Sequence, residues 1–194
     1  MKMLRNFTIR FVMLTILGIF CVMWAGVGLY STWSLSRVSD GNDVDRQLVR
    51  QMTVLSQGND QYFRFVTRLS RAMEVKAAGG TPDLAPAQQA LDNMSKKLAE
   101  MKAISPGPMD EKVSAQVIST WQALLDQGVT PQMAQAKQAT LEGYRQHANN
   151  VTPPLSRAFG SAAENFNNTA AKALDSTRVV VDGLTSMTRT VIIT

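Results

Sequence analysis

The sequence predicts an all-α protein: an elongated, antiparallel up-down-up-down four-helix bundle, preceded by a transmembrane helix and ending at the start of a second. Three observations lead to this fold class. Apolar residues recur at steps of three and four along every long segment, the spacing of one helix face. Ala, Gln, Leu, Met and Ser are frequent while β-rich runs are scarce. A charge-free apolar run lies near the N-terminus.

That apolar run, residues 11–30, has the length of a membrane helix. Twenty residues in a helix extend about 30 Å, the thickness of a bilayer's hydrocarbon layer. Residues 1–10 before it carry Lys2, Arg5 and Arg10 and no acid, which predicts that they stay in the cytoplasm. A cleaved signal peptide is the alternative, but the run is longer than a typical signal-peptide core.

The first bundle helix is predicted to run from Ser31 to about Lys76, where glycines and a proline end it. The second helix follows from about residue 84 or 86 to Ala103. Ser105-Pro-Gly-Pro is a firm break, and the third helix opens near Met109 with two acids that favour a helix N-terminus. Apolar stripes mark the expected core, including Leu48, Leu55, Tyr62, Leu69, Met73, Leu91, Met94, Leu98, Val117, Trp121, Phe159 and Phe166.

Prolines divide the second half of the chain. The Thr-Pro pair at 130–131 predicts the N-cap and first position of a short helix ending at Ala136. The Thr-Pro-Pro sequence at 152–154 predicts a kink or a restart before the last helix. Residues 190–194 resemble the first turn of a second membrane helix, which implies a longer protein. The predicted organisation is therefore a cytoplasmic segment, a membrane helix at 11–30, a bundle at 31–189 and the beginning of a second span.

The composition excludes several functions. The net charge is +5, and no basic stretch is interleaved with aromatic residues, so we expect no nucleic-acid binding. Cys21 lies in the apolar run and His147 is the single histidine. The usual nucleophile–base triads cannot form from these residues, and a structural zinc site needs four Cys or His ligands. We therefore expect a protein that is not an enzyme and that has no metal and no cofactor.

Three arginines are the strongest functional signal. Arg64, Arg68 and Arg71 recur at steps of four and three, on the side of the first helix away from its apolar stripe. A guanidinium group binds carboxylates with two parallel hydrogen bonds. A solvated helix face is one interpretation of the stripe; a second seam that meets the same helix of another subunit is the other.

Thr152 and its prolines are the second signal. A helix that starts there would offer free backbone N–H groups and the positive end of its dipole, which can bind a carboxylate. An ordinary N-cap or kink is the simpler interpretation. Counted along the first and last helices, Thr152 and the arginines fall in the same membrane-distal half of the bundle and could share one site.

The layout resembles the N-terminal sensory half of methyl-accepting chemotaxis proteins, whose best-known members are the bacterial aspartate and serine receptors. The resemblance covers essentially the whole chain. It is carried by the basic N-terminus with its apolar run, the long first helix, the Thr-Arg-Leu-Ser-Arg segment at 67–71, the Thr-Pro-Pro segment at 152–154, and the apolar residues after Arg189.

In that family, arginines of the first helix bind the ligand's carboxylates across a dimer interface, and the start of the fourth helix adds a threonine. The resemblance implies that Arg71, in Leu-Ser-Arg, is the best-matched ligand arginine. Arg68 resembles the arginine after the family's threonine, although two residues are missing after it here. Thr152 resembles the family's threonine beside a proline. The family's third arginine would fall near Val75 or Lys76.

We therefore expect a homodimeric chemoreceptor of the bacterial inner membrane with residues 31–189 in the periplasm. It would bind a small carboxylate (an amino acid or a di- or tricarboxylic acid) through Arg71, Arg68, Arg64 and Thr152. Displacement of the last helix would then reach cytoplasmic signalling proteins. Two alternatives stay open: the sensor of a histidine kinase or cyclic-dinucleotide enzyme, and a membrane-anchored helical interaction module without a small ligand.

Overall fold

The computed structural model describes the backbone of residues 2–138 and 141–193, and side chains mainly in the ranges 42–138 and 141–176. Val44–Arg178 form one compact unit, and Met1–Asp43 with Val179–Thr194 form another. In the described part of the chain, no helix combines the length and the apolar character that a membrane crossing requires. Most side chains of the predicted span, and all of those after residue 176, lie outside the described residues.

Helices account for nearly all of the described backbone, and no strand occurs in it. The elements are α1 (Lys2–Ala77), α2 (Ala85–Ile104), α3 (Glu111–Ala123), the π-helix π1 (Leu124–Val129), α4 (Thr130–Lys137), α5 (Leu141–Gln146), the π-helix π2 (His147–Val151) and α6 (Thr152–Ile193). Because α3, π1 and α4 are continuous, and α5, π2 and α6 are as well, the described backbone forms four helical segments. The prediction of an all-α four-helix bundle is confirmed.

Cross-helix hydrogen bonds fix the directions of the first two segments. Gln51, early in the bundle part of α1, donates from Nε2 to the carbonyl of Ile104 at the end of α2, at 3.0 Å. Arg68, later in α1, donates to the carbonyl of Pro86 at the beginning of α2, at 3.0 Å. The two helices therefore run antiparallel. Gly58 of α1 lies against Trp121 of α3, and Lys76, near the end of α1, donates to the carbonyl of Gln138 just after α4, at 2.8 Å. The segment of α3, π1 and α4 therefore runs parallel to α1.

The core contains the predicted apolar stripes. Its largest fully buried side chains include Trp121, Phe65, Phe159 and Phe166, and the rings of Trp121 and Phe159 lie 5.3 Å apart. Gly58 lets Trp121 pack against the backbone of α1, because a Cβ atom at this position would overlap the indole ring. A glycine that weakens the isolated helix is thus required by packing.

The prediction that a separate helix starts with an N-cap at Thr130 is wrong. The segment continues through π1 into α4, and the backbone N–H of Thr130 donates to the carbonyl of Leu125, five residues back. Thr130 is therefore not a free N-cap. Pro131 has no N–H and its ring crowds the carbonyl four residues before it, and a wider π-turn accommodates both effects without ending the helix.

The predicted helix start at Thr152 is corrected in the same way. The backbone of Thr152 is α-helical, with φ −67° and ψ −39°, and its N–H donates to the carbonyl of His147 through π2. Pro153 and Pro154 follow without a break and have no N–H groups. The set of free N–H groups that a new helix start would have offered to an anion is therefore absent at Thr152.

Candidate functional site

A cleft of about 410 Å³ lies between α1 and the segment that contains α5, π2 and the first turns of α6. Its volume falls within the range of roughly 300–1,000 Å³ typical of ligand pockets. Eleven side chains line it: Tyr62, Val66, Ser70, Gln132, Tyr144, Arg145, Ala148, Asn149, Thr152, Pro153 and Ser156. They mix apolar surface with a few polar groups, as small-molecule sites usually do.

The α1 wall of the cleft is uncharged. Tyr62, Val66 and Ser70 follow at intervals of four residues, so they lie on one face of the helix. Tyr62 is only 9% exposed and Val66 is half-buried, because both also pack against the core. A ligand in the cleft therefore meets one phenol, one isopropyl group and one hydroxyl group from this helix.

The opposite wall is built on the π-turn. A π-turn changes the helical register by one residue and so redirects the side chains around it. His147 in π2 bonds through Nε2 to the carbonyl of Gly128 in π1, at 2.9 Å, which ties the two irregular turns together. Thr152 is 3% exposed, and its hydroxyl group donates to Oε1 of Gln132 at 2.9 Å. These bonds position Thr152 and Gln132 at the cleft surface.

Arg145 is the single cationic side chain among the described residues that line the cleft. It is exposed and has no hydrogen-bond or ion-pair partner within the described ranges. A smaller groove of about 170 Å³ continues from the cleft, shares Ser70, Tyr144 and Arg145 with it, and is also lined by Glu74. The guanidinium group of Arg145 therefore borders both cavities, and the carboxylate of Glu74 lies on the side of the smaller groove.

The structure places Arg64 and Arg68 away from this cleft. Nε of Arg64 is 2.7 Å from Oδ2 of Asp60, one turn earlier on the same exposed face. Arg68 is half-buried and donates to the carbonyl of Pro86, on the α2 side of α1. Both guanidinium groups thus have partners within their own chain.

Arg71 differs from the other two. It is exposed and has no partner in the described part of the chain. At about 100° per residue, it lies about 100° around the helix from Ser70, between the cleft and the α2 side. Lys76, near the position implied for a third ligand arginine, donates to the carbonyls of Ala136 at 3.2 Å and Gln138 at 2.8 Å, and so caps α4.

The sequence did not indicate two residues of the cleft lining, Tyr144 and Arg145, or the contact that His147 makes beside the cleft. Tyr144 is 8% exposed, and His147 bonds across to π1. Arg145 had no signal of its own, because an isolated arginine beside a predicted break looks like any solvated charge. The short stripe of Tyr144, Ala148 and Thr152, at steps of four, could have indicated that this segment is helical throughout.

Other ionic groups lie away from the cleft. Two cations hold the pKa of Glu100 below its ordinary value. The ammonium group of Lys97, 2.9 Å from the carboxylate, has the larger effect, and the guanidinium group of Arg50, 3.5 Å from the carboxylate, adds to it. Across the described residues, no group of three or more His, Cys, Asp or Glu side chains is placed to hold a metal ion.

Comparison with known proteins places this geometry in a family. The model of the family described as Tar ligand binding domain homologue matches residues 3–174. Three chains of solved structures match, among them the 2.0 Å crystal structure of the N-terminal ligand-binding domain of a proposed methyl-accepting chemotaxis protein from Salmonella enterica. That domain is 65% identical, with a TM-score of 0.68, and the match covers 69% of this chain and 98% of that chain. No curated protein matches the chain.

Proposed function

Because the chain belongs to the family of Tar ligand-binding domain homologues, the sensor domains of chemoreceptors, we propose that it binds a small carboxylate in the cleft between α1 and π2–α6. The resemblance to methyl-accepting chemotaxis proteins is confirmed by these matches. The observation that carries the ligand proposal is the guanidinium group of Arg145, which has no partner among the described residues and lies at a cleft of ligand size. We further propose that the domain has no enzymatic activity of its own.

In this proposal, Arg145 binds the carboxylate, and the other residues that line the cleft orient the rest of the ligand. A charge-assisted hydrogen bond from a guanidinium group is shorter and about twice as strong as a neutral one. The hydroxyl group of Thr152 donates a hydrogen bond to Gln132, so the hydroxyl oxygen can still accept a hydrogen bond from the ligand. Thr152 therefore remains a proposed ligand residue, acting through its side chain rather than through free N–H groups.

The three arginines of α1 differ in their availability to a ligand. Arg71 is exposed and unpartnered among the described residues, so it is the one available to a ligand or an acidic group on a second copy of the chain. Arg64 and Arg68 would first have to leave Asp60 and the carbonyl of Pro86. We therefore propose a homodimer through the exposed side of α1, with Arg71 ranked before Arg68 and Arg64 as a ligand group.

For signalling, we propose that ligand binding shifts α6 along its axis. The cleft wall includes Thr152, Pro153 and Ser156 of α6, so a ligand there contacts the helix that continues to Ile193. Packed helices change position in steps of about 1–2 Å, and a ligand biases such a step only if it binds one position better. The family assignment favours periplasmic sensing at the inner membrane, with output to cytoplasmic signalling proteins, as the setting for this movement.

The test is a titration of the 194-residue chain in detergent with amino acids and mono-, di- and tricarboxylic acids, following unfolding by circular dichroism. Binding to the folded state raises the melting temperature as the acid concentration rises. Arg145→Gln should abolish most of the increase, whereas Arg157→Gln, which removes an exposed arginine outside the cleft lining, should retain it.

A negative result would favour the other class of function. If no acid at any concentration raises the melting temperature, the carboxylate site is refuted and a helical interaction module becomes the better description. If an acid binds but Arg145→Gln and Arg71→Gln both bind it unchanged, the ligand is real and its proposed location is wrong.

A further inference from the structure

We infer that the ligand of this cleft carries a single negative charge on an apolar body such as an aromatic ring, and is not a di- or tricarboxylate. The inference rests on the proposed function, because it takes the cleft as the ligand site. It goes further by naming the chemical class that the cleft of this chain selects. The selection follows from the placement of charge and of apolar surface around the cavity.

Within one copy of the chain, the charge at the cleft comes from one residue. Arg145 is the one cation among the described residues of the cleft lining, and no carboxylate is among them. On α1, Arg64 pairs with Asp60 and Arg68 bonds to the start of α2. Arg71, the third arginine of the stripe, is exposed and is not among the residues that line the cleft. One guanidinium group can neutralise one carboxylate in the bidentate geometry that suits it.

A second carboxylate on the ligand would meet unfavourable surroundings on either side of Arg145. Towards Tyr62 it would face the uncharged wall of α1, where losing water without a counter-charge is costly. Along the adjoining groove it would approach Glu74, which is exposed and has no side-chain partner among the described residues. Like charges close together repel. The cleft therefore discriminates against ligands with two or three negative charges.

Part of the remaining surface suits an apolar body, and the rest, including Ser70, Asn149 and Ser156, is polar but uncharged. The rings of Tyr62 and Tyr144 are both nearly buried and line the cleft from opposite walls, and Val66, Ala148 and Pro153 add aliphatic surface. Aromatic rings attract one another in offset or edge-to-face arrangements beyond the gain from burial alone. A volume of about 410 Å³ lies in the range that holds drug-sized ligands, so a ring fits together with its carboxylate.

The experiment measures dissociation constants of the 194-residue chain in detergent for phenylacetate, malate, citrate and the uncharged analogue 2-phenylethanol, by isothermal titration calorimetry. Phenylacetate should bind at least tenfold more tightly than each of the other three. Arg145→Gln should weaken phenylacetate at least tenfold, while Arg157→Gln should leave its affinity unchanged. Glu74→Gln should narrow the gap between phenylacetate and malate several-fold, and Glu164→Gln, an exposed acid outside both cavities, should not.

The outcomes separate this inference from the proposed function. Tighter binding of malate or citrate than of phenylacetate overturns the inference and leaves a carboxylate site in place. If that preference disappears in Arg71→Gln, a second copy completes the site with its own arginine, which also overturns the inference. Failure of every acid to bind overturns the proposed function as well. Equal binding of 2-phenylethanol and phenylacetate shows a purely apolar site and contradicts the assigned role of Arg145.

Discussion

The same substitution, glycine to alanine, should have opposite effects at Gly58 and at Gly160. Both residues lie in helices, where alanine is intrinsically favoured by about 1 kcal/mol. At Gly160 in α6 a new Cβ atom would have nothing within 4 Å, so Gly160→Ala should stabilise the protein by roughly 0.5–1 kcal/mol. At Gly58 the new atom would overlap the benzene part of the Trp121 indole ring.

The clash at Gly58 cannot be relieved cheaply. Trp121 is fully buried, and its ring lies against that of Phe159 at 5.3 Å, so moving the indole disturbs the centre of the core. Overpacking of this kind costs roughly 1–3 kcal/mol and occasionally more. Because the overlap is with a fully buried ring, the upper part of this range, about 2–3 kcal/mol, applies, and subtracting about 1 kcal/mol for helix propensity leaves a destabilisation of about 1–2 kcal/mol. The two variants should therefore differ by about 1.5–3 kcal/mol, or roughly 3–12 °C in melting temperature for a domain of this size.

Urea denaturation of both variants, followed by circular dichroism, measures this difference. A double-mutant cycle identifies its source: Trp121→Phe removes the ring atoms that clash, so Gly58→Ala should be less damaging in that background by at least about 1 kcal/mol. The reasoning is refuted if Gly58→Ala is as stable as the unmodified protein, or if its cost is the same whether residue 121 is Trp or Phe.

Three further predictions concern contacts outside the cleft. Lys76→Met removes the cap on the carbonyl end of α4 and should lower the free energy of unfolding by about 0.5–1.5 kcal/mol in denaturant titrations. Gln51→Leu removes the amide group that donates to the carbonyls of Ile104 and Pro106, although Pro106 keeps its bond from the N–H of Met109. Hydrogen exchange should therefore become faster in the α2–α3 turn, with a cost of roughly 1–3 kcal/mol. Because the pKa of Glu100 is lowered, its contacts with Lys97 and Arg50 stabilise the fold at pH values above the ordinary pKa near 4.5. This contribution should disappear as the pH falls through the lowered pKa. Between pH 7 and pH 3, the melting temperature of Glu100→Gln should therefore fall less than that of the unmodified protein.

The core of the bundle could be predicted because burial leaves a periodic signal. Apolar residues at steps of three and four mark the face of each helix that packs inward, and Leu48, Leu55 and Leu69 are buried as that spacing requires. The end of α1 could be predicted from a glycine in the sequence. Gly79 has φ +82°, a conformation that glycine adopts without strain, so the sequence marks the end of the helix at this position.

The two π-turns could not be predicted, because a proline after a polar stretch has the same appearance whether the helix stops or widens. The choice depends on partners distant in sequence. In this structure the carbonyl of Gly128 accepts from His147, and Gln132 accepts from Thr152, so neighbouring segments compensate for the irregular turns. Without those contacts, the prolines would favour the predicted break.

The arginine stripe shows most clearly what a periodic pattern leaves undetermined. The sequence separates α1 into an inward face and an outward face, but a bundle helix has several neighbours, and each covers only part of its circumference. In the structure, the side of α1 next to α2 holds Arg68, the side next to π2 and α6 holds Val66 and Ser70, and Arg71 remains exposed. A shift of one or two residues changes which neighbour a side chain meets, because each residue turns the helix by about 100°. The chemistry of the cleft is therefore set by the residues that follow Tyr62 at steps of four, and these carry no charge. This explains why a helix rich in arginine presents an uncharged wall to its cleft, and why the cation among the described residues that line the cleft, Arg145, lies on the opposite segment.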